Sequence, residues 1–237
     1  MTDITNKGRL LQNSFATMRS RILLLSFGYA ITAQKLIELV NAYGIQEAAE
    51  GRLTQAIKNR NKAMDKSADQ IIAYSSLLQK STGISDEFTI SAAAMLATFH
   101  NISGPIMTAA LSTMQDIAIF MNDGRISMEA MKQEAVRLGK ALNEPTKGMS
   151  ALTRVGVSFT VQQKVLIKNL EDQGQLQEAQ AQMLEIINQQ FGETANISNY
   201  QQSVNALSAA FGDMQERLGA KLLPTLTWII EEMTKFF

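Results

Sequence analysis

Leu11, Phe15, Met18, Ile22, Leu25, Tyr29, Leu36, Leu39 and Tyr43 recur at alternating steps of four and three residues, with Thr32 the one polar member of the series. Such spacing returns to the same side of an α-helix every seven residues, whereas on a strand it would scatter side chains over both faces. A helix from about Arg9 to Tyr43 would be about 50 Å long. Near the other end Tyr200, Val204, Leu207, Phe211, Met214 and Leu218 repeat the pattern. With 14 Gly and 3 Pro in 237 residues, about 7% against a usual ~12%, the chain has few places for tight hairpins. The expected fold is all-α, a multi-helix bundle with long amphipathic heptad-like helices and short Gly/Pro connectors. Three segments are expected in one structural unit. They are 1–83 with the long helix, 84–160 in the centre, and 161–237, which is rich in glutamine.

A dedicated coiled coil carries opposite charges beside its apolar seam. Here the first stripe has Lys/Arg near its start and Glu38 near its end. Packing inside a bundle and self-association therefore both fit it. Net charge is zero, but residues 1–62 carry 9 basic and 4 acidic groups, 63–170 carry 10 and 9, and 171–237 carry 3 and 9. A basic head and an acidic tail suit head-to-tail contact between copies, and equally suit solvated helix faces that differ in sign. The overall balance argues against binding nucleic acid through bulk positive charge.

Residues 88–115 contain no Asp, Glu, Lys or Arg. Gly104-Pro105 divides the run, so two buried helices are expected rather than one membrane span. Arg19 and Arg21 ahead of the apolar run 22–31 imitate a secretory signal, but the helical stripe continues through the supposed cleavage point.

Local signals mark the helix ends. Gly44 is expected to end the first helix, Gly51 to interrupt the next stretch, and Gly83 to stop a polar helix from about Leu53 to Gln79. Asp86 reads as the N-cap of a helix over 87–101, and Pro105 as the first-turn proline of a helix reaching about Met121. Ser127 should cap a helix with Met128, Met131, Ala135 and Leu138 on one face. Thr160 with Gln163, and Ser198 with Gln201, have capping-box spacing. Leu176, Ala179, Met183, Ile186, Ile187 and Phe191 form a helical stripe ended by Gly192, and Pro224 is expected to break the last helix. Eleven of the twenty glutamines lie between Gln162 and Gln202. They read as a neutral, soluble helix surface.

Catalytic chemistry finds little to use. With no Cys and one His, His100, there is no disulfide framework, no thiolate nucleophile, no Cys-ligated zinc and no triad of His ligands. Phosphate-loop and nucleophile-elbow motifs are missing. Asp86-Glu87, Glu171-Asp172 and Glu231-Glu232 read as helix ends or solvated faces, and His100 as a cap or core-edge residue. No enzyme, no cofactor and no metal site is expected.

The block LGKALNEPTKGMSALTRVGVSFT, residues 138–160, is more individual. Together with Gln163-Lys164, Gly174-Gln175-Leu176, Ala179-Gln180 and Gln190-Phe191-Gly192, it resembles the conserved region of tailed-bacteriophage tape measure proteins. FGYAITAQKLIELVNAYG (27–44), LLQKSTGISDE (77–87) and LGAKLLP (218–224) look like further parts of that region, so the resemblance covers the chain from about residue 22. It implies a structural protein of the phage or prophage tail. Such a protein lies in the virion tail interior, and in the host cytoplasm during assembly. It sets tail length, contacts tail-tube, tail-tip and assembly-chaperone proteins, and is ejected ahead of the DNA, with transient membrane contact in some members. Helical pore formation through 22–31, 88–121 and 222–237 is the alternative.

Read from the residues themselves, the block is a connector. Pro145 ends the helix holding Leu138 and Leu142, a short helix Met149–Val155 comes next, and Gly148 and Gly156 serve backbone turns. Leu142, Met149, Leu152, Val155 and Phe159 are the expected core contacts. A tape acts by extension, and 237 residues in one helix reach only about 350 Å. The chain is therefore expected to be a piece of a longer protein.

Overall fold

The computed structural model describes residues 33–60, 66–122, 125–154, 156–192 and 199–234. Among them are nine helices and no strand, so the all-α expectation holds. In chain order they are α1 (Ala33–Lys58), α2 (Ala68–Thr82), α3 (Asp86–Leu96), α4 (Gly104–Met121), α5 (Met128–Asn143), α6 (Pro145–Thr153), α7 (Val161–Asp172), α8 (Leu176–Phe191) and α9 (Asn199–Thr234).

The centre is α3, and its composition explains why. Thr89, Ile90, Ser91, Ala92, Ala93, Ala94 and Leu96 are all buried. Small side chains on most sides let four helices, α1, α2, α4 and α5, pack around one short rod. α4 is the second interior helix, with Met107, Ala110, Leu111 and Met114 fully buried and its outer side covered by α5 and α8. The charge-free run 88–115 is therefore two core helices, which is why it carries no charge. Two polar pairs tie the interior helices together: Gln115 donates to Thr89 Oγ1 at 2.8 Å, joining α4 to α3, and Thr113 donates to Asn188 Oδ1 at 2.7 Å, joining α4 to α8. The three sequence segments interdigitate, since α3 packs on α1 and α2 and α8 packs on α4.

Several predicted caps are present. Gly83 at φ 74° closes α2, Ser127 Oγ accepts from the Ala130 N–H at 3.1 Å, and Thr160 and Gln163 exchange backbone and side-chain hydrogen bonds at 3.2 and 2.9 Å. Thr160→Ala should cost about 1 kcal/mol of stability in a urea titration, the usual value of an N-cap hydroxyl.

Other boundaries differ from the expectation. α1 runs straight through Gly44 and Gly51 to Lys58, because Ala49 and Leu53 anchor that stretch in the core. The polar helix expected over 53–79 is two helices, the second opened by a Ser67–Gln70 capping box. Ser85, not Asp86, is the N-cap of α3, which ends at Leu96 instead of continuing to 101. α9 passes through Pro224; Ala220, whose carbonyl loses its usual N–H partner there, lies on an exposed face where water can replace it. The Ser198–Gln201 box lies outside the described residues and side chains.

Candidate interaction surface

The connector block is built as a tight crossing. Leu138, Leu142, Pro145, Met149, Leu152 and Phe159 are buried, while Val155 lies outside the described residues. Pro145 does not merely end α5; it is the first-turn residue of α6, where its absent N–H is no loss. Gly148 is no turn residue. It sits within α6 facing α5, and a Cβ there would lie 2.3 Å from Ala141 Cα. Gly156, exposed with φ +101°, is the turn. Glutamines of the last third hold this block together. Buried Gln180 donates to the carbonyls of Asn101 and Leu142 at 2.8 and 2.9 Å, and Gln190 exchanges two hydrogen bonds with the Ser158 backbone at 2.7 and 2.8 Å. Glu171 accepts from the Thr146 N–H at the start of α6 at 2.8 Å. Neutral surface thus describes only some of the glutamines.

The heptad stripes fare differently. Leu11, Phe15, Met18, Ile22 and Leu25 lie outside the described residues, as does the side chain of Tyr200. Leu36 and Leu39 are half-buried in α1, and Leu218 is half-buried in α9. Val204, Leu207, Phe211 and Met214 face solvent at 41, 72, 55 and 46% exposure. At ~100° per residue these four share an arc of about 80°, so they form one continuous apolar strip. α9 itself packs chiefly on α1, with further contact to α2, and among the described side chains adds none to the continuous core, which runs from Ala49 to Phe191. Its buried positions among described side chains are Ala209 and Gly219, where a Cβ would come within 2.1 Å of the Leu39 carbonyl oxygen. The strip points away from both. α7 carries a smaller exposed apolar set, Val161, Val165 and Leu166.

Behind the strip, on the docked side of α9, carboxylates gather. Gln79 of α2 donates to both oxygens of Asp213 at 3.0 and 2.9 Å and accepts from the Asp86 N–H, while Ser76 donates to Asp86 Oδ2 at 2.7 Å. Burial, then the neighbouring charges of Glu87, Asp86, Asp213 and Glu50, pushes Glu216 up to about 8. Burial, with Asp86 and Asp213 adding to it, pushes Glu87 up to about 7, and burial also raises Asp86. Along the chain, Asp86-Glu87 looks like an ordinary helix start. The overlooked signal is that Asp213 and Glu216 lie three apart on the side of α9 opposite the apolar strip.

No family model, no curated protein and no solved structure matches this chain.

Among the described residues, no group of three metal-ligating side chains lies within reach of one ion. His100 is exposed rather than a core-edge residue, and it is its backbone carbonyl that accepts from Arg60. A cavity of about 420 Å³ is bordered by Arg60, His100, Ser103 and Glu178, but Ser103 Oγ has no hydrogen-bond partner, so serine and histidine are not wired as nucleophile and base. No described helix is long and apolar enough to cross a membrane. What the surface offers is a long helix with an exposed apolar strip.

Proposed function

We propose that this chain is a structural domain of a bacteriophage tail tape measure protein, acting in tail assembly and length determination through helix-mediated contacts. The observation that carries the reading is the strip Val204, Leu207, Phe211 and Met214, held outward on a helix that, among its described side chains, adds none to the continuous core. An amphipathic helix in a globular unit normally turns its apolar side inward. One that shows it to solvent suits a partner helix. The resemblance of 138–160 to tape measure proteins supplies the biological setting. It also supplies the partners: further copies of the chain, tail-tube and tail-tip proteins, and an assembly chaperone. The site of action is then the tail lumen, after assembly in the host cytoplasm.

Deleting the encoding segment from a phage or prophage should leave tails absent or of altered length under the electron microscope. Tails normal in number and length would rule the reading out. Membrane insertion is the rival, and its central segment, 88–121, consists largely of core residues of α3 and α4. Liposome flotation of the intact chain separates the two: binding with dye release favours insertion.

A further inference from the structure

α1 and α5 each pack broadly on α3 but scarcely on each other, so the space between them above α3 is left open. It forms a cavity of about 650 Å³, bordered by residues 40–52 of α1, by the first turn of α5 and by Ser91 of α3. A volume of this order suits a small organic ligand. The α5 wall runs only from Met128 to Lys132, about 6 Å, too short to hold a partner helix over several turns. The α1 wall is kept low by Gly44, where an added Cβ would meet nothing within 4 Å, and by Ala48 one turn later.

Val40, Ile45, Ala48 and Met128 make the lining largely apolar, and no acidic side chain borders it. Two cations do: Arg52, exposed at the end of the α1 wall, and Lys132, half-buried on α5. Neither forms an ion pair or hydrogen bond among the described residues. Ser91 is 3% exposed, and its Oγ has no hydrogen-bond partner among the described residues. A buried hydroxyl in that state is costly, and turning it toward the cavity about its one side-chain torsion breaks no existing bond. An apolar lining with two unpaired cations and a spare O–H donor is complementary to an aliphatic body that ends in an oxyanion.

We propose that this cavity binds a free, single-chain amphiphile with a carboxylate head, of the fatty-acid class. The tail lies along Val40, Ile45 and Met128, and Arg52, Lys132 and Ser91 Oγ take the head. Burial of the tail supplies affinity, and the two charges select the anion. No residue of α9 borders the cavity, so the site is separate from the apolar strip and does not rest on the function proposed above.

Calorimetric titration of the full chain with sodium decanoate, below its micelle concentration, should show saturable binding of one molecule per chain. Decanol carries the same tail without the charge and should bind at least about tenfold more weakly. Arg52→Gln/Lys132→Gln should weaken decanoate at least about tenfold and leave decanol unchanged. Gly44→Leu should weaken both ligands at least about tenfold by filling the cavity, and the open space at its Cβ should leave helicity and melting temperature intact. Ser91→Ala separates binding from structure. Its hydroxyl bonds to nothing in the unliganded chain, so the melting temperature should not fall, whereas decanoate should bind at least about threefold less tightly. The proposal is overturned if decanoate does not bind saturably, if decanol binds as tightly, or if the Arg52/Lys132 and Gly44 variants both bind decanoate like the wild type. Flotation with phosphatidylglycerol vesicles decides the source of the anion: a chain that floats but ignores decanoate reads membrane lipid, and the proposal falls. Decanoate binding by a chain whose deletion leaves tails normal would keep this inference and remove the functional one.

Discussion

Gly148→Ala is expected to lower stability by about 2–3 kcal/mol, and Gly51→Ala to raise it by about 0.5–1 kcal/mol, in urea titrations followed by helicity. The same methyl group is added to a helix in both cases. At Gly51 it meets nothing within 4 Å, so only the helix propensity changes, in alanine's favour. At Gly148 it would stand 2.3 Å from Ala141 Cα and 2.5 Å from the Ala141 carbonyl oxygen. These are backbone atoms of α5, which cannot swing aside as a side chain can, so the propensity gain is overwhelmed by overpacking. Gly139 is the intermediate case, because its added carbon meets the Phe99 ring, which can move. If Gly148→Ala were neutral, α5 and α6 would not cross as closely as described.

This contrast also marks what could be read along the chain. Periodicity, the capping box at Thr160 and the caps at Ser127 and Gly83 are local, and they yield helices in the right places. A glycine is ambiguous on its own. Gly83 and Gly156 end elements through positive φ, Gly44 and Gly51 lie inside α1, and Gly148 and Gly219 are crossing points. What separates them is the neighbouring helix, which no local pattern contains. Pro224 misleads for the same reason, since its cost depends on whether the freed carbonyl faces water. A heptad stripe shows that a helix has an apolar side without showing whether the molecule covers it. Leu36 and Leu39 are partly covered and Leu207 is not, although their spacing is alike. The carboxylate seam joins residues from α1, α3 and α9, far apart in sequence, and only packing reveals it.

Leu207→Asp/Phe211→Asp should abolish self-association while leaving the fold intact. In the isolated chain both side chains are more than half exposed, so replacing them removes little packing, and the unfolding free energy should hold within the ordinary range of surface substitutions, ~0.5 kcal/mol each. At an interface the accounting reverses. Burying a Leu or Phe is worth about 1.5–3 kcal/mol, and an aspartate in its place would be buried without a partner. Losing both sites costs at least about 3 kcal/mol, more than a hundredfold in dissociation constant. Sedimentation velocity over a concentration series measures it. Val165→Asp, on the exposed apolar set of α7, is the matched control and should leave association unchanged. Should the control variant dissociate the protein and the α9 variant not, the association surface belongs to α7. A wild-type chain monomeric at every concentration would leave the strip to a different protein, and its mixture with a tail-tube or tail-tip protein would then have to show the same dependence on Leu207 and Phe211.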